Sequence, residues 1–248
     1  MSTPVFCIIG ALALAAGVLT VLAVRMFHIV WLGILCGIVA ASLTLLLILI
    51  TWVRRQYAFG GGGIMDQVHQ TVIRNLDFEG KGTILEVGCG SGPLSIRAAL
   101  TWPSARVIGL DYWGAVYNYS KELCERNAAM EGVSDQCTFL RGDARKLELP
   151  DESVDAVISN YVFHNIHGVD TQALLMESLR VLKKGGVFAL HDSMKPQLYG
   201  DMEAFARKLR DMGYEDVRLV DTTQEVFGSR QRAALLFLPD SKMLVGRK

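Results

Sequence analysis

A short strand that runs directly into a glycine-rich loop and a helix is the feature that most constrains how this chain can fold. Residues 83–97 read TILEVGCGSGPLSIR, in which a β-like run ends at Glu86. Three glycines then follow at alternate positions: Gly88, Gly90 and Gly92. Glycine lets the backbone turn sharply and approach a ligand where a Cβ would collide. Since the next residues are typical of a helix, the segment predicts a βα unit that holds a nucleotide-like ligand at a helix N-terminus.

The spacing of the glycines narrows the choice of ligand. A dinucleotide-binding loop has the spacing G-x-G-x-x-G, with an acid about 20 residues later. Here the spacing is G-x-G-x-G, Glu86 precedes the first glycine by two residues, and Pro93 takes the place of the third dinucleotide glycine. This pattern resembles motif I of the class I S-adenosylmethionine-dependent methyltransferases. The resemblance implies S-adenosylmethionine as cofactor, S-adenosylhomocysteine as product, and cofactor contacts from these loop residues: Glu86, Gly88, Cys89, Gly90 and Gly92.

The next two strands end in residues that extend the resemblance. Residues 106–110 predict a second strand that ends at Asp111 and Tyr112. A carboxylate at this tip can accept hydrogen bonds from a ribose diol, and the resemblance implies that Asp111 does so while Tyr112 packs on the adenine. A third strand at residues 137–140 leads into three residues that the resemblance places at the adenine edge: Gly142, Asp143 and Ala144. Asp143 could instead cap a short helix.

Two further strands complete the parallel part of the predicted sheet. Residues 154–159 are rich in Val, Ala and Ile, as expected of a strand buried on both faces, and they lead into Asn160 and Tyr161, further implied cofactor contacts. Residues 179–190 predict a helix end, a turn and a fifth strand. The turn resembles the family's Leu-Lys-Pro-Gly-Gly, with Lys184 in place of proline.

The resemblance extends from Ile64 to the C-terminus. Residues 216–221 and 243–246 are the candidate sixth and seventh strands. Strands that alternate with helices indicate an α/β fold. The resemblance implies a Rossmann-like seven-stranded, mostly parallel sheet of order 3-2-1-4-5-7-6 with helices on both faces.

Methyl transfer makes few demands on catalytic side chains, because the protein mainly aligns the acceptor with an already electrophilic methyl group. A general base is needed only when the acceptor loses a proton. The candidates after strands four and five are His164, His191 and Asp192. For each histidine a structural role at a strand end is the commoner alternative. The sequence Ser-Asn-Tyr-Val at residues 159–162 differs from the N/D-P-P-Y motif of enzymes that methylate amino groups of adenine or glutamine.

The N-terminal region predicts a helical hairpin in a membrane. Arg25 is the only charged residue among residues 1–53, and it separates apolar runs at residues 5–24 and 29–53. At about 1.5 Å per residue these runs make helices of roughly 30 and 37 Å, enough to cross a hydrocarbon core of about 30 Å. A secretory signal peptide is the alternative, but no Lys or Arg precedes the first run and the apolar content continues well beyond a signal sequence.

The segments after the hairpin complete the predicted domain organisation. Residues 54–63 include four glycines and predict a flexible juxtamembrane linker. Residues 64–248 are then expected to form the methyltransferase domain. Arg54 and Arg55 follow the second run, so the positive-inside tendency predicts a multi-pass protein of the cell membrane with this domain in the cytoplasm, although Arg25 opposes that orientation.

Small residues recur at four-residue spacing in the two runs. They form two pairs, Ala13 with Gly17 and Gly33 with Gly37. Such pairs allow close approach of helix backbones. They could pack the hairpin on itself or join two protomers into a homo-oligomer, and the sequence does not choose.

Composition limits the partners. The chain has 25 Lys and Arg against 25 Asp and Glu, so it has no basic field that would attract nucleic acid. Its five cysteines are scattered without a C-x-x-C pair, which indicates neither a disulfide framework nor a metal site. An anchored enzyme is best explained by an acceptor from the lipid bilayer. The expected partner is therefore a lipophilic lipid, quinone or thiol.

Two other functions and one ambiguous segment stay open at this point. An NAD-type oxidoreductase would also use Asp111, but the glycine spacing disfavours it. A membrane scaffold could bind the cofactor without turnover. Between the last two strands, the apolar residues 233–238 follow Arg230 and Arg232, and this segment could face a membrane or the substrate, or pack in the core.

Overall fold

The computed structural model describes residues 3–27, 30–114, 119–236 and 238–248. The chain divides into two compact units, Met1–Asp66 and Gln67–Lys248. Ile29, at the start of the second apolar run, and Phe237, in the apolar segment near the C-terminus, lie outside the described residues.

The first unit contains two long helices, α1 (Thr3–Phe27) and α2 (Val30–Gln56). Phe6–Met26 and Val30–Gln56 are long and apolar enough to be candidate membrane spans. Hydroxyl groups within these helices donate to backbone carbonyls one turn earlier, as Thr20 does to Ala16 O at 2.9 Å. These side-chain hydroxyl groups therefore find their acceptors within their own helix. Because α2 continues to Gln56, Arg54 and Arg55 lie in its last turn rather than in the predicted linker.

Glycines show how α1 and α2 pack against each other. A Cβ on Gly33 would lie 2.5 Å from Val24 Cγ2, one on Gly37 would lie 3.9 Å from Thr20, and one on Gly10 would lie 4.0 Å from Leu47. Residues late in α1 thus contact residues early in α2, and residues early in α1 contact residues late in α2. The two helices therefore form an antiparallel hairpin. Gly33 and Gly37 pack this hairpin on itself, whereas nothing lies within 4 Å of a Cβ on Gly17.

The second unit contains a seven-stranded sheet surrounded by helices. The strands are β1 (Gly82–Val87), β2 (Ala105–Asp111), β3 (Cys137–Arg141), β4 (Val154–Asn160), β5 (Leu182–Ser193), β6 (Glu215–Asp221) and β7 (Ser241–Arg247). The helices that follow α2 along the chain are α3 (Ile64–Asn75), α4 (Pro93–Thr101), α5 (Lys121–Met130), α6 (Thr171–Arg180), α7 (Pro196–Tyr199), α8 (Met202–Asp211), α9 (Thr223–Phe227) and α10 (Arg230–Leu235).

The strand order is β3-β2-β1-β4-β5-β7-β6, which confirms the predicted topology. The first five strands are parallel, and β7 pairs antiparallel with both β5 and β6. The carboxyl ends of β1, β2 and β4 therefore meet at one edge of the sheet. The glycine loop, Asp111 and Asn160 all lie at this edge.

Apolar residues bury the centre of the sheet on both faces. Ile84 and Leu85 are neighbours on β1 that point to opposite faces, and both are fully buried. Val157 and Ile158 repeat this arrangement on β4. Such continuous apolar strands are typical of a parallel sheet covered by helices on both sides.

The segment between the last two strands folds into α9 and α10. Ala233, Leu236 and Leu238 are buried, whereas Leu235 is 63% exposed. The described part of the apolar run therefore contributes mainly to core packing, the plainer of the two interpretations of this segment.

Candidate functional site

The glycine loop is fixed to the end of β2. The N–H groups of Gly88 and Cys89 both donate to Leu110 O, at 2.7 and 3.1 Å. Gly88 has a φ of +75°, and a Cβ there would lie 2.2 Å from Val162 Cγ2. Only glycine fits this position, because the residues after β4 pack directly on the loop.

Glu86 and Cys89 direct their side chains into the protein rather than into the crevice. The Glu86 carboxyl group accepts a hydrogen bond from the Ser95 hydroxyl of α4, and the residue is 2% exposed. This burial raises the pKa of Glu86 to about 8. Cys89 is equally buried; its contact with Cys124 and its burial raise the pKa of its thiol. Among the predicted loop contacts, these two residues therefore offer a ligand mainly their backbone.

Asp111 lies at the tip of β2 with its carboxylate held by two backbone groups. Its Oδ2 accepts from Gly90 N at 2.8 Å, and its Oδ1 accepts from Trp113 N at 2.7 Å. Each carboxylate oxygen has a further lone pair that these bonds do not use. The acid and the glycine loop, which are 21 residues apart, thus form one polar corner suited to a ribose diol.

Trp113 is a residue of this corner that the sequence analysis missed. Its indole Nε1 donates to Gly90 O at 2.8 Å, and its backbone adopts a φ of +46°, which is uncommon outside glycine. The Tyr119 ring lies next to Gly90, 3.5 Å from where a Cβ would stand. The run of aromatic residues after Asp111 was the available signal, but motif I itself does not include it.

Tyr112 and the loop after β3 lie beside Asp111. Tyr112 is 57% exposed, and the guanidinium of Arg141 lies 5.5 Å from its ring centroid. Gly142 N donates to Asp111 O at 3.0 Å, so the β3 loop is joined to the tip of β2. An exposed ring at this place offers a flat apolar surface for a base.

Asp143 is in a turn, and the alternative that it caps a helix is wrong. Its carboxylate accepts from the side chain of Arg145 at 3.0 Å and from the Arg145 backbone N–H at 2.9 Å. The hydrogen bond from the Arg145 side chain lowers the pKa of Asp143. The carboxylate is therefore ionised at neutral pH, and Ala144 next to it is largely buried.

His191 has a structural position. Its Nδ1 is bonded to Asn160 Oδ1 at 2.8 Å and its Nε2 to Thr222 Oγ1 at 2.7 Å. The ring is 1% exposed and packs edge-on against Tyr161, with 4.7 Å between ring centroids. Burial lowers the pKa of His191 to about 4, so the ring is neutral at pH 7. Both nitrogens are occupied, and neither is available to an acceptor.

His164 and Asp192 form a hydrogen-bonded pair. His164 belongs to a 3₁₀ turn, Phe163–Asn165, and its Nδ1 lies 2.5 Å from Asp192 Oδ1. The His164 side chain is 26% exposed, whereas that of Asp192 is fully buried. A carboxylate, an imidazole and a partly open ring edge can together accept a proton.

Across the described ranges, no group of three or more His, Cys, Asp or Glu side chains is arranged to hold a metal ion.

Comparison with known proteins shows what the part of the chain that carries this corner is similar to. Residues 85–190 match the family model described as a methyltransferase domain. A sterol 24-C-methyltransferase of Aspergillus fumigatus is 32% identical over 127 residues, which are 51% of this chain and 32% of that protein. A demethylmenaquinone methyltransferase of Symbiobacterium thermophilum is 30% identical over 54% of this chain and 51% of its own length.

A third relative is the fatty-acid O-methyltransferase of Mycolicibacterium smegmatis, which is 33% identical over 58% of this chain and 48% of that protein. The chain thus spans about a third to a half of the length of these curated relatives. The shared part is the domain rather than the whole protein.

Solved structures share the fold. Geranyl diphosphate C-methyltransferase from Streptomyces coelicolor A3(2), in complex with S-adenosylhomocysteine, superposes with a TM-score of 0.58 at 16% identity, over 74% of this chain and 80% of that chain. The [4+2]-cyclase SpnF superposes with a TM-score of 0.60 at 19% identity, over 78% of this chain and 84% of that chain. Identities this low establish the architecture alone. Together with the match of residues 85–190, they show that this chain is similar to methyltransferases in sequence over that region and has the same Rossmann-like fold.

Proposed function

We propose that this chain is a membrane-anchored methyltransferase that transfers a methyl group from S-adenosylmethionine to a lipophilic small molecule. One observation carries the enzymatic part of the proposal. The Asp111 carboxylate is held by Gly90 N and Trp113 N at the tip of β2, directly beside the glycine loop. A ribose diol needs an acceptor of this kind at this point of an α/β sheet.

The residues around Asp111 fit the rest of the cofactor. Tyr112 offers its exposed ring to the adenine, and the β3 loop at Gly142, Asp143 and Ala144 borders the same place. The glycine loop and Asn160 with Tyr161 follow the neighbouring strands β1 and β4, and we propose that they contact the rest of the cofactor. When bound, S-adenosylmethionine supplies an electrophilic methyl group on a sulfonium sulfur. The protein residues then orient the acceptor in line with that group.

Two observations support a lipophilic acceptor. The relatives named above are called sterol, demethylmenaquinone and fatty-acid methyltransferases, and each of these names denotes an apolar substrate. This chain also has two candidate membrane spans, α1 and α2. An enzyme fixed at a bilayer meets substrates that partition into it at a high local concentration.

The charges at the end of α2 support a cytoplasmic domain. Arg54 and Arg55 lie in the last turn of α2, on the side from which the chain continues into the second unit. Basic residues next to a span favour the cytoplasmic side. Protease protection of the domain in right-side-out and inside-out vesicles tests this orientation, and cleavage from the outer face would contradict it.

The experiment that tests the function compares the full chain in liposomes with a variant that lacks residues 1–53. Both should bind S-adenosylhomocysteine with the same affinity in calorimetry. Only the full chain should methylate bilayer-resident acceptors efficiently, with a sterol, a demethylmenaquinol, a fatty acid and a long-chain thiol as probes and labelled S-adenosylmethionine as donor. Water-soluble analogues of the same acceptors are the matched control.

Three outcomes would contradict parts of the proposal. Equal activity of the two variants on bilayer-resident acceptors would separate the anchor from substrate choice. Cofactor binding without transfer to any acceptor would favour the scaffold. Tighter binding of NAD than of S-adenosylhomocysteine would favour an oxidoreductase.

A further inference from the structure

The turn after β4 and the end of β5 bring His164 and Asp192 to the edge of the cofactor loop. Strands β4 and β5 are parallel neighbours, with Asn160 paired to His191. Val162, two residues before His164, occupies the space where Gly88 would carry a Cβ. The pair therefore lies at the carboxyl edge of the sheet, where ligands of open α/β folds bind.

Asp192 is a buried carboxylate with a full set of donors. Its Oδ2 faces the backbone N–H groups of Val162 and His164 at 3.1 and 3.3 Å, and its Oδ1 accepts from Ser193 N at 2.6 Å. A buried charge is costly unless hydrogen bonds satisfy it. These contacts keep Asp192 as an acceptor, so the short bond to His164 is best made by a protonated Nδ1. The lone pair of the neutral ring then lies on Nε2.

The accessible edge of His164 distinguishes it from the other histidines near the sheet. His69 and His191 are 4% and 1% exposed, whereas the His164 side chain is 26% exposed. None of the residues that the structure describes is bonded to His164 Nε2. The titratable groups around the pair include Tyr161, with its ring centroid 6.3 Å from that of His164, Tyr199 of α7 beside Asp192, and His191, which interacts electrostatically with Asp192.

We propose that His164 is the general base of the reaction, that Asp192 positions it, and that the acceptor atom is a hydroxyl or thiol of the lipophilic substrate. The acceptor proton passes to His164 Nε2 while the lone pair of its oxygen or sulfur forms the bond to the methyl carbon. The carbon–sulfur bond of the donor breaks, and its electron pair stays on sulfur. Asp192 stabilises the imidazolium, which later releases its proton to water. This inference rests on the proposed function and specifies its substrate class.

The substrate class follows from what the base can do. A weakly acidic O–H or S–H group needs a base to become a good nucleophile near neutral pH. A tertiary amine has no proton to lose. The pair would therefore give no advantage to acceptors of that kind.

The tautomer of His164 can be tested without knowing the acceptor. The full chain, labelled with ¹⁵N-histidine in detergent micelles, is compared with His164→Gln to assign the signal. We expect Nε2 to give the signal of an unprotonated ring nitrogen under the conditions of the activity assay, and Asp192→Asn to shift the proton towards Nε2. A wild-type signal that shows Nε2–H would overturn the proposal.

The acceptor class is tested with 4-nonylphenol and dodecanethiol against N,N-dimethyldodecylamine, in micelles with the full chain. Wild type should methylate the phenol or the thiol. His164→Gln should lower kcat at least 100-fold with unchanged S-adenosylhomocysteine affinity. Asp192→Asn should lower kcat at least tenfold. His167→Gln, on the same loop and exposed, is the matched control and should keep wild-type activity.

The pH profile separates a catalytic base from a structural residue. With wild type, kcat/KM should fall towards acidic pH, because a protonated imidazole cannot accept the proton. His164→Gln should lose this limb, and added imidazole should restore part of the activity of His164→Ala. Full activity of His164→Gln, or transfer to the tertiary amine alone, would overturn the proposal. Failure of wild type to bind S-adenosylhomocysteine would instead contradict the proposed function, and the ¹⁵N measurement would still decide the state of His164.

Discussion

The Asp111 carboxylate has a structural role at the tip of β2, and we propose that it also binds the cofactor. Its two oxygens accept from Gly90 N and Trp113 N, which fixes the direction of their remaining lone pairs. An acceptor that is already oriented loses little side-chain entropy when a ligand binds. We therefore expect Asp111 to contribute to cofactor affinity partly because the protein has positioned it beforehand.

Replacing Asp111 by Ala should weaken S-adenosylhomocysteine binding at least tenfold. The variant loses the acceptor for the ribose and leaves the N–H groups of Gly90 and Trp113 without their partner. Isothermal titration calorimetry measures the effect, with the exposed Asp135→Ala as control. Unchanged affinity of Asp111→Ala would show that the ribose binds elsewhere.

Two glycines with nearly the same backbone conformation allow the cost of steric overlap to be measured separately from the cost of backbone strain. Gly88 has a φ of +75° and Gly132 a φ of +73°, but only Gly88 has a neighbour within 4 Å of an added Cβ. Gly132→Ala should cost about 1 kcal/mol of unfolding free energy from the left-handed conformation alone. Gly88→Ala should cost about 3 kcal/mol and reduce cofactor binding, because Val162 must move. Urea unfolding of both variants measures the difference, and equal losses would rule out the steric contribution.

Single residues also show where sequence reasoning reached its limit. The glycine spacing and Asp111 could be recognised because they lie in continuous motifs. The bond between Trp113 and Gly90 spans 23 residues, and that between His164 and Asp192 spans 28. Both depend on which strands are neighbours and on side-chain directions, neither of which a local pattern contains. The sequence therefore identified His191 and His164 as equals, although burial makes them different.

At the scale of elements, apolar runs predicted the strands well and the short helices poorly. The central strands β1 and β4 contain continuous runs of buried apolar residues, since helices cover both sheet faces. The segment between β6 and β7 folds into two helices of five and six residues, α9 and α10. Helices this short are stabilised by tertiary packing rather than by their own propensity, so composition alone left their environment open.

The hairpin offers a prediction at this scale. Gly33→Ile should disturb the packing of α1 against α2, because even a Cβ at Gly33 would lie 2.5 Å from Val24. Gly17→Ile is the matched control, since nothing lies within 4 Å of a Cβ there. Spin labels on the native Cys7 and Cys36, one on each helix, measure the distance between the helices in micelles, with the remaining cysteines replaced by alanine. The distance distribution should broaden for Gly33→Ile only. Equal distributions for the two variants would contradict the antiparallel register.

At the scale of the whole molecule, buried ionisable groups limit the pH range of the second unit. Burial lowers the pKa of His69 to about 3 and that of His191 to about 4. Unfolded histidine titrates near 6.5, so both groups contribute stability above that pH and lose it as the pH falls. Glu86 has the opposite effect, because its contribution to stability is lost as the pH rises. Its pKa of about 8 means that its contribution is complete below about 4.5 and is lost as the pH rises to about 8.

Glu86→Gln should therefore stabilise the protein at high pH. The amide keeps the uncharged state that the buried site favours and can accept from Ser95 in the same way. We expect a gain of about 1 to 3 kcal/mol in the free energy of unfolding at pH 8 and little gain at pH 5. Urea unfolding of the variant without residues 1–53, followed by tryptophan fluorescence, measures it, with the exposed Glu79→Gln as control. An equal gain at both pH values would mean that Glu86 is ionised in the folded protein.

The indole of Trp113, which donates to Gly90 O, provides a fluorescence signal at the glycine loop. Removal of residues 1–53 leaves two tryptophans, Trp102 and Trp113, and Trp102→Phe leaves Trp113 alone. Indole emission depends on the polarity around the ring and on the hydrogen bond of its nitrogen. A change in that emission would follow occupancy of the loop in real time, in a cuvette, with no radioactive donor. The protein thus contains its own optical probe for discovering the molecules it recognises.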